Sequence, residues 1–107
     1  MPLNEPMQFL QMVKDRLNIT FGHRDNDLER MITESIASIR SWIGSVDFNP
    51  EAEAADTISI LANEMLLDLV RYKWNGSGQY FIQEHRSAIL TLQLEVAKRD
   101  KKKQTYE

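Results

Sequence analysis

The stretch "DNDLERMITESIASIRSWIG", residues 25–44, carries the clearest structural pattern in this chain. Its apolar residues recur at steps of three and four, which is the spacing of one face of an α-helix. They are Leu28, Met31, Ile32, Ile36, Ile39, Trp42 and Ile43. Asp25, Asn26 or Asp27 can cap the beginning of this helix, and Gly44 permits a left-handed residue at its end. We therefore predict an amphipathic helix that packs on a core, with Trp42 inside.

The following segment, residues 49–75, predicts a second long helix that is apolar on most sides. Asn49 is a favourable cap and Pro50 a favourable first residue, so we expect the helix to begin there. Glu51 and Glu53 would then lie at the positive end of the helix dipole. Only a narrow polar stripe remains downstream, formed by Glu64, Asp68 and Arg71. Such a helix is buried on most sides, which places it at the centre of a bundle.

Two further helices flank this pair in the sequence. A short one follows Pro6, and its inward face is predicted to hold Phe9, Leu10, Val13 and Leu17. The other is predicted from Gln79 to about Lys98. Its inward face is predicted to hold Phe81, His85, Ala88, Leu92 and Val96. The segment "ILTLQLEV", residues 89–96, also alternates like a strand, but its flanks favour a helix and no second strand is available.

These elements predict an all-α protein with a single small bundle of about four helices. The chain has 107 residues and is 42% hydrophobic, which suits one domain. We assign residues 1–97 to the helical domain and residues 98–107 to a flexible, basic tail that is disordered. The beginning of the chain lacks the pattern of a signal peptide, and no apolar run approaches the length of a membrane span.

Residues suited to catalysis or metal binding are sparse. There is no cysteine, and His23 and His85 lie in different elements without a second ligand at metal-binding spacing. The sequence "NGSG" at 75–78 lacks the Gly-Lys-Ser/Thr ending of a phosphate loop. We therefore expect no enzyme activity, no cofactor and no metal. The basic tail could contact phosphate, although such a run more often serves as a solubilising end.

The chain carries more apolar residues than one small core needs. Leu90 and Leu94 lie off the inward face of the fourth helix, and Ile60 and Leu67 lie off that of the third. Aromatic residues flank the 75–78 break on both sides. If these side chains are exposed, they indicate a partner surface. Alternatively, the first helix and the loop around Ile19 and Phe21 cover them, and the two interpretations stay open.

The order of these features resembles the small head–tail connector proteins of long-tailed bacteriophages, also called adaptor or head-completion proteins. The resemblance lies in "LNITFGHRDNDLERMITESIASIRSWIG", in the acidic, Pro-started helix ending in "RYKWN", and in "FIQEHRSAILTLQLE". It covers residues 8–97. The Gly76-Ser77-Gly78 turn and the basic tail have no counterpart in it.

This resemblance implies a non-enzymatic virion protein that is located in the neck and assembled in the host cytoplasm. Copies would form a ring beneath the portal protein, extend the DNA channel and dock the neck or tail-completion protein. Genomic double-stranded DNA would pass nearby without specific binding, and no membrane would be involved. The candidate subunit-interface residues are Tyr72, Trp74, Tyr80, Leu90 and Leu94.

The acidic residues Asp47, Glu51 and Glu53 are candidates for facing the DNA channel, because carboxylates repel phosphates and would let duplex slide. Stabilisation of a helix N-terminus is the alternative reason for their presence, and it has the stronger support. A second function also stays open, that of a small helical nucleic-acid-binding regulator or protein-interaction module. The link between the second and third helices is long for a helix-turn-helix motif.

Overall fold

The computed structural model describes the backbone of residues 5–52 and 56–105, and the side chains of residues 7–52 and 56–102. Within these ranges it contains five α-helices, one 3₁₀ turn and no strand. The helices are α1 (Glu5–Arg16), α2 (Asp25–Ile43), α3 (Thr57–Trp74), α4 (Phe81–Glu84) and α5 (Arg86–Thr105), and the 3₁₀ turn is Gly78–Tyr80. The all-α prediction is confirmed for the described residues, and the strand alternative for 89–96 is wrong because that segment lies within α5.

The core is a single apolar cluster to which all the long elements contribute. Helices α2 and α3 share its centre, since each packs against the other, against α1 and against α5. Phe9 and Val13 from α1, and Leu92 and Val96 from α5, close the cluster from two sides. The prediction that α3 is buried on most sides is confirmed: Ser59, Ala62, Asn63, Met65, Leu66, Leu67, Leu69 and Val70 are all buried.

Helix α2 follows its predicted face with two differences in depth of burial. Leu28, Ile32, Ile36, Ile39 and Ile43 are buried, whereas Met31 and Trp42 are only partly buried and pack against the core. Trp42 lies where the α2 face meets α4, and part of its large ring stays in contact with solvent.

The ends of α2 are formed differently from the predicted capping. Arg24 occupies the N-cap position without a side-chain cap, and Asp25 is already helical. Asp25 instead pairs with Lys14 of α1, with Nζ and Oδ1 2.9 Å apart. At the other end Gly44 has a positive φ of 103°, as expected for a glycine there, but its ψ of −168° is extended rather than left-handed helical.

Helix α3 begins at Thr57, so the predicted beginning at Pro50 is wrong. Asp56 is the cap, and its carboxylate accepts a hydrogen bond from the Ser59 N–H at 3.2 Å. Asn49 caps only a local turn, in which its Oδ1 accepts from the Glu51 N–H at 3.0 Å. The Asn49 carbonyl also accepts from the Asn63 amide at 2.6 Å. The 49–52 turn is therefore tied to the side of α3.

The predicted fourth helix is divided at His85 into α4 and α5. Of its predicted inward residues, Phe81, Leu92 and Val96 are buried, His85 is partly buried and Ala88 is exposed. The break rotates the inward face, so that Ile89 is buried in place of Ala88. Of the surplus apolar residues, Leu67 is buried and Ile60 is partly buried.

Helix α5 crosses the predicted domain boundary at 97/98 without interruption and continues to Thr105. The predicted end near Lys98 is therefore wrong, and the flexible tail predicted over residues 98–107 is not confirmed. Arg99 anchors this part of the helix, because its Nη2 donates to the Ser45 carbonyl at 2.6 Å. Lys101 and Lys102 are exposed beyond it.

Candidate protein-interaction surface

Phe81 is the centre of an aromatic cluster that ties the beginning of α4 to α2 and α3. Its side chain is fully buried. Trp42 stacks on it with ring centroids 5.8 Å apart, and His85 stacks on it at 4.1 Å. Tyr72 meets the Phe81 ring edge-on at 5.3 Å. Four aromatic rings therefore pack inside one subunit, and this contact accounts for one aromatic residue on each side of the 75–78 break, Tyr72 and Phe81.

The break itself is a compact turn. Gly76 has φ = +76°, a conformation that glycine adopts without steric cost. The Ser77 N–H donates to the Tyr72 carbonyl at 2.8 Å, and the Gly76 N–H donates to the Lys73 carbonyl at 3.1 Å. These bonds satisfy carbonyls that the end of α3 would otherwise leave unpaired.

Tyr72, a candidate interface residue, is partly buried and engaged within the subunit. A hydrogen bond to Glu84 raises the pKa of the Tyr72 hydroxyl above its ordinary value of 10.0, and burial adds to the same direction. Lys73, the next residue, has its pKa lowered by burial, and the charge of Glu34 opposes that shift. The hydrogen bond to Glu84 is thus the main cause of the Tyr72 shift, whereas burial is the main cause of the Lys73 shift.

Trp74, another candidate, is also partly buried and packs against the core. The guanidinium of Arg24 lies over its ring, 4.6 Å from the centroid, as in a cation–π contact. This contact fastens the end of α3 to the beginning of α2. Tyr72 and Trp74 therefore serve internal packing, whereas Tyr80 is 53% exposed and presents most of its ring to solvent.

The other two candidates lie on a face of α5 that the core does not use. Leu90 is 53% exposed and Leu94 is 61% exposed. They are one helical turn apart, and Ala97, also exposed, continues the same row. Leu92 and Val96 on the opposite face are almost fully buried. We call the row of Leu90, Leu94 and Ala97 the outer stripe. Helix α5 therefore has apolar residues on two opposite faces.

A groove runs between α3 and α5. Its volume is about 210 Å³. Its apolar part consists of Leu61, Met65, Ala88 and Leu92, and its polar part of Glu64, Asp68, His85 and Thr91. Leu61 is 37% exposed, so the groove is open to solvent rather than enclosed. We call it the α3–α5 groove.

Two carboxylates of α3 give this groove an acidic edge. Glu64 lies 3.6 Å from Arg16, and both side chains are largely exposed, so this ion pair is weak. Asp68 lies 3.5 Å from Arg71 and 3.8 Å from the Nε2 of His85. The Nδ1 of His85 lies 3.2 Å from the Phe81 carbonyl, to which it donates when it carries the proton.

The candidate channel residues occupy the link between α2 and α3. Asp47 and Glu51 are exposed, whereas Glu53 lies outside the described residues. Because α3 begins at Thr57, Asp47 and Glu51 are not in its first turn. Stabilisation of the α3 dipole therefore does not explain these two carboxylates.

The described residues contain no group of three or more His, Cys, Asp or Glu side chains that could hold a metal ion. Across the same part of the chain, no helix is both long and apolar enough to cross a membrane. Sequence reasoning did not single out Met7, Leu61 and Ile82 as exposed, and Phe21, which it placed in a covering loop, is 40% exposed. Ile82 is exposed because the helix breaks at His85. The sequence contains no proline or glycine at that position to indicate a break.

Comparisons with known proteins identify no relative of this chain. No family model, no curated protein and no solved structure matches it.

Proposed function

We propose that this chain is a structural subunit of the head–tail connector of a long-tailed bacteriophage. In this proposal its copies form a ring beneath the portal protein, extend the DNA channel and dock a neck or tail-completion protein. The ring belongs to the virion neck and is assembled in the host cytoplasm. The resemblance of residues 8–97 to connector proteins motivates the proposal, and the exposed apolar surface supports it.

The observation that carries the proposal is the apolar surface of α4 and α5. Tyr80, Ile82, Leu90 and Leu94 are each more than half exposed. Fully burying a leucine or isoleucine side chain contributes about 1.5–3 kcal/mol, so partners that cover the exposed parts of Ile82, Leu90 and Leu94 would gain a share of that free energy. A structural subunit with neighbours on several sides provides such partners.

A nucleic-acid-binding regulator has less support from the geometry. The link from Gly44 to Asp56 is far longer than the turn of a helix-turn-helix motif. Helix α3, which would be the recognition helix, has buried residues along its whole length and an acidic exposed edge. A helix that enters a DNA groove needs a free face with cations or hydrogen-bond donors.

Electron microscopy of phage particles made with and without this chain tests the proposal. Without it we expect DNA-filled heads that lack tails, and supplying the wild-type chain in trans should restore complete particles. A Leu94→Asp variant should restore fewer tailed particles than an Arg30→Glu control, which changes an exposed position on α2. Normal tailed particles in the absence of the chain would contradict the proposal.

A salt titration of DNA binding distinguishes a nucleic-acid-binding regulator from a connector subunit. A regulator should bind a specific duplex at moderate salt, with affinity falling as salt rises. A connector subunit should show no sequence preference. Specific binding by the isolated chain would favour the regulator.

A further inference from the structure

We infer that the α3–α5 groove of one copy binds the outer stripe of α5 from a second copy, in a head-to-tail contact. This inference rests on the proposed function, because it specifies how neighbouring connector subunits meet. The fold of one copy leaves both of these surfaces uncovered.

The size of the groove favours a protein side chain over a small molecule. Small-molecule sites usually measure about 300–1,000 Å³. The groove measures about 210 Å³ and is open along one side. That space suits one or two aliphatic side chains from a helix laid across it. Leu90 and Leu94 are spaced one turn apart and can enter such a groove together.

Charge complementarity identifies the occupant as α5 of a second copy. The groove has Glu64 and Asp68 along its α3 edge. The outer stripe leads directly into a basic segment, since Lys98 is one turn after Leu94. The Lys98 side chain is 73% exposed, and its pair with Glu95 on the same helix, with Nζ and Oε1 3.6 Å apart, is weak enough to exchange. An inserted Leu94 would therefore bring Lys98 towards a carboxylate edge. Because the Arg16–Glu64 pair is weak and exposed, Glu64 can exchange that partner.

The two surfaces are different, which determines the type of assembly. The groove lies on the flank of α5 that faces α3, whereas the stripe lies opposite the buried Leu92 and Val96. A contact between two different patches is heterologous, so it leaves a free groove at one end and a free stripe at the other. Repeated addition then gives a ring when the rotation closes. The contact is small, so we expect a dissociation constant on the order of 0.1–1 mM for isolated subunits.

Sedimentation and NMR measurements on the purified full chain test the inference. Wild-type protein should associate as its concentration rises to about 1 mM, with shifts at Leu61, Ala88 and Leu94. Leu94→Asp should weaken association about tenfold or more, because it places a charge in an apolar contact. Its far-UV spectrum should be unchanged, since Leu94 is mostly exposed.

Charge reversal provides the matched controls. Glu64→Lys and Lys98→Glu should each weaken association up to about fivefold, and the double variant in one chain should recover it. Arg30→Glu, at an exposed position of α2, should have no effect. If the double variant associates no better than the single variants, the proposed pairing is overturned.

Mixing two disabled variants tests the head-to-tail arrangement. Ala88→Trp fills the groove but keeps the stripe, and Leu94→Asp removes the stripe but keeps the groove. Each alone should be monomeric where the wild type associates, and an equal mixture should form a 1:1 dimer that grows no further. A mixture that stays monomeric overturns the inference.

The inference and the proposed function can fail separately. A wild-type chain that shows no concentration dependence up to about 1 mM overturns the self-contact, whatever the particles look like. Complete, tailed particles without the chain overturn the connector function, even when the purified chain associates through this contact.

Discussion

The ring of His85 stacks on the ring of Phe81, with centroids 4.1 Å apart and planes inclined by 10°. The two residues stand at the ends of α4, and the His85 N–H of the backbone donates to the Phe81 carbonyl at 2.9 Å. The ring stack and the backbone hydrogen bond therefore stabilise the same short turn. This pair fixes the point at which the chain leaves α4 and enters α5, and so determines which face of α5 reaches the core.

Phe81→Ala should be strongly destabilising, because a fully buried ring leaves a cavity among Trp42, Tyr72 and His85. We expect the free energy of unfolding to fall by about 3–5 kcal/mol, measured by urea denaturation. Ile82→Ala is the matched control, since Ile82 is the next residue and is 51% exposed. Its effect should stay within about 0.5 kcal/mol. Similar losses in both variants would contradict the central position of Phe81.

Trp42→Ala should have a smaller effect than Phe81→Ala. The full cost of about 3–5 kcal/mol applies to a buried tryptophan, and Trp42 is only partly buried. A measured loss below about 1 kcal/mol would show that the stacking of Trp42 on Phe81 contributes little. A loss equal to that of Phe81→Ala would show that the Trp42 ring is buried more deeply than described.

Gly44→Ala should destabilise the fold for two reasons. Its φ of +103° is strained for any residue with a side chain, and an added Cβ would lie 3.2 Å from Cγ1 of Val96. We expect a loss of about 1–3 kcal/mol. Gly76→Ala separates the two causes, because Gly76 also has a positive φ but has nothing within 4 Å of the added Cβ. It should cost about 1 kcal/mol, less than Gly44→Ala.

Gly22→Ala is the control for both glycine variants. Its φ lies outside the positive range, and the nearest atom to an added Cβ is 3.8 Å away. The change should be neutral within about 0.5 kcal/mol. If Gly22→Ala is as destabilising as Gly44→Ala, backbone conformation does not explain the difference among these glycines.

Tyr72 should ionise at higher pH than an exposed tyrosine, because its hydrogen bond to Glu84 favours the neutral hydroxyl. A pKa that is raised in the folded state means that the folded chain binds more protons than the unfolded chain above pH 10. The stability contributed by Tyr72 is therefore complete below about pH 10 and is lost as pH rises through the folded pKa.

Comparison of wild type with Tyr72→Phe measures this effect. Lys73 has a lowered pKa and contributes the opposite slope just below its own ordinary value, but it is present in both proteins. The difference between the two stability curves should therefore isolate Tyr72. The latest-titrating phenol absorbance should also disappear in Tyr72→Phe and move to lower pH in Glu84→Gln. Identical titrations in all three proteins would exclude the Tyr72–Glu84 bond.

The helical core could be predicted from sequence where apolar residues recur at helical spacing. Leu28, Ile32 and Ile39 repeat along α2 at the spacing of one face, and all three are fully buried. The beginning of α3 could not be predicted in the same way. Asn49-Pro50 and Asp56 are both good starting signals, and Asn49 is instead engaged by a hydrogen bond from Asn63, a residue distant in sequence.

The exposed apolar residues of the candidate surface could be predicted only in part, for a related reason. Leu90 and Leu94 lie on a regular helix, so their outward direction follows from the positions of Leu92 and Val96. Tyr72 and Trp74 are residue types that are common in interfaces, but both pack within the subunit. Tyr72 contacts Phe81, and Trp74 contacts Arg24. The α3–α5 groove lies between two helices. It could not be predicted because the sequence does not indicate how those helices are placed relative to each other.

The acidic link between α2 and α3 leads to a prediction about DNA transit, under the proposed connector function. Glu51 is exposed and precedes α3, so Glu51→Lys should change the free energy of unfolding by no more than about 0.5 kcal/mol. If Glu51 faces the channel, the new cation would attract the phosphates, which are spaced about 1.7 Å apart along the duplex axis. Particles should then assemble normally but package or eject DNA more slowly, and added salt should relieve the defect by screening.

Glu51→Gln, which removes the charge without reversing it, should have a smaller effect. Unchanged DNA transit in assembled Glu51→Lys particles would mean that this carboxylate lies away from the channel.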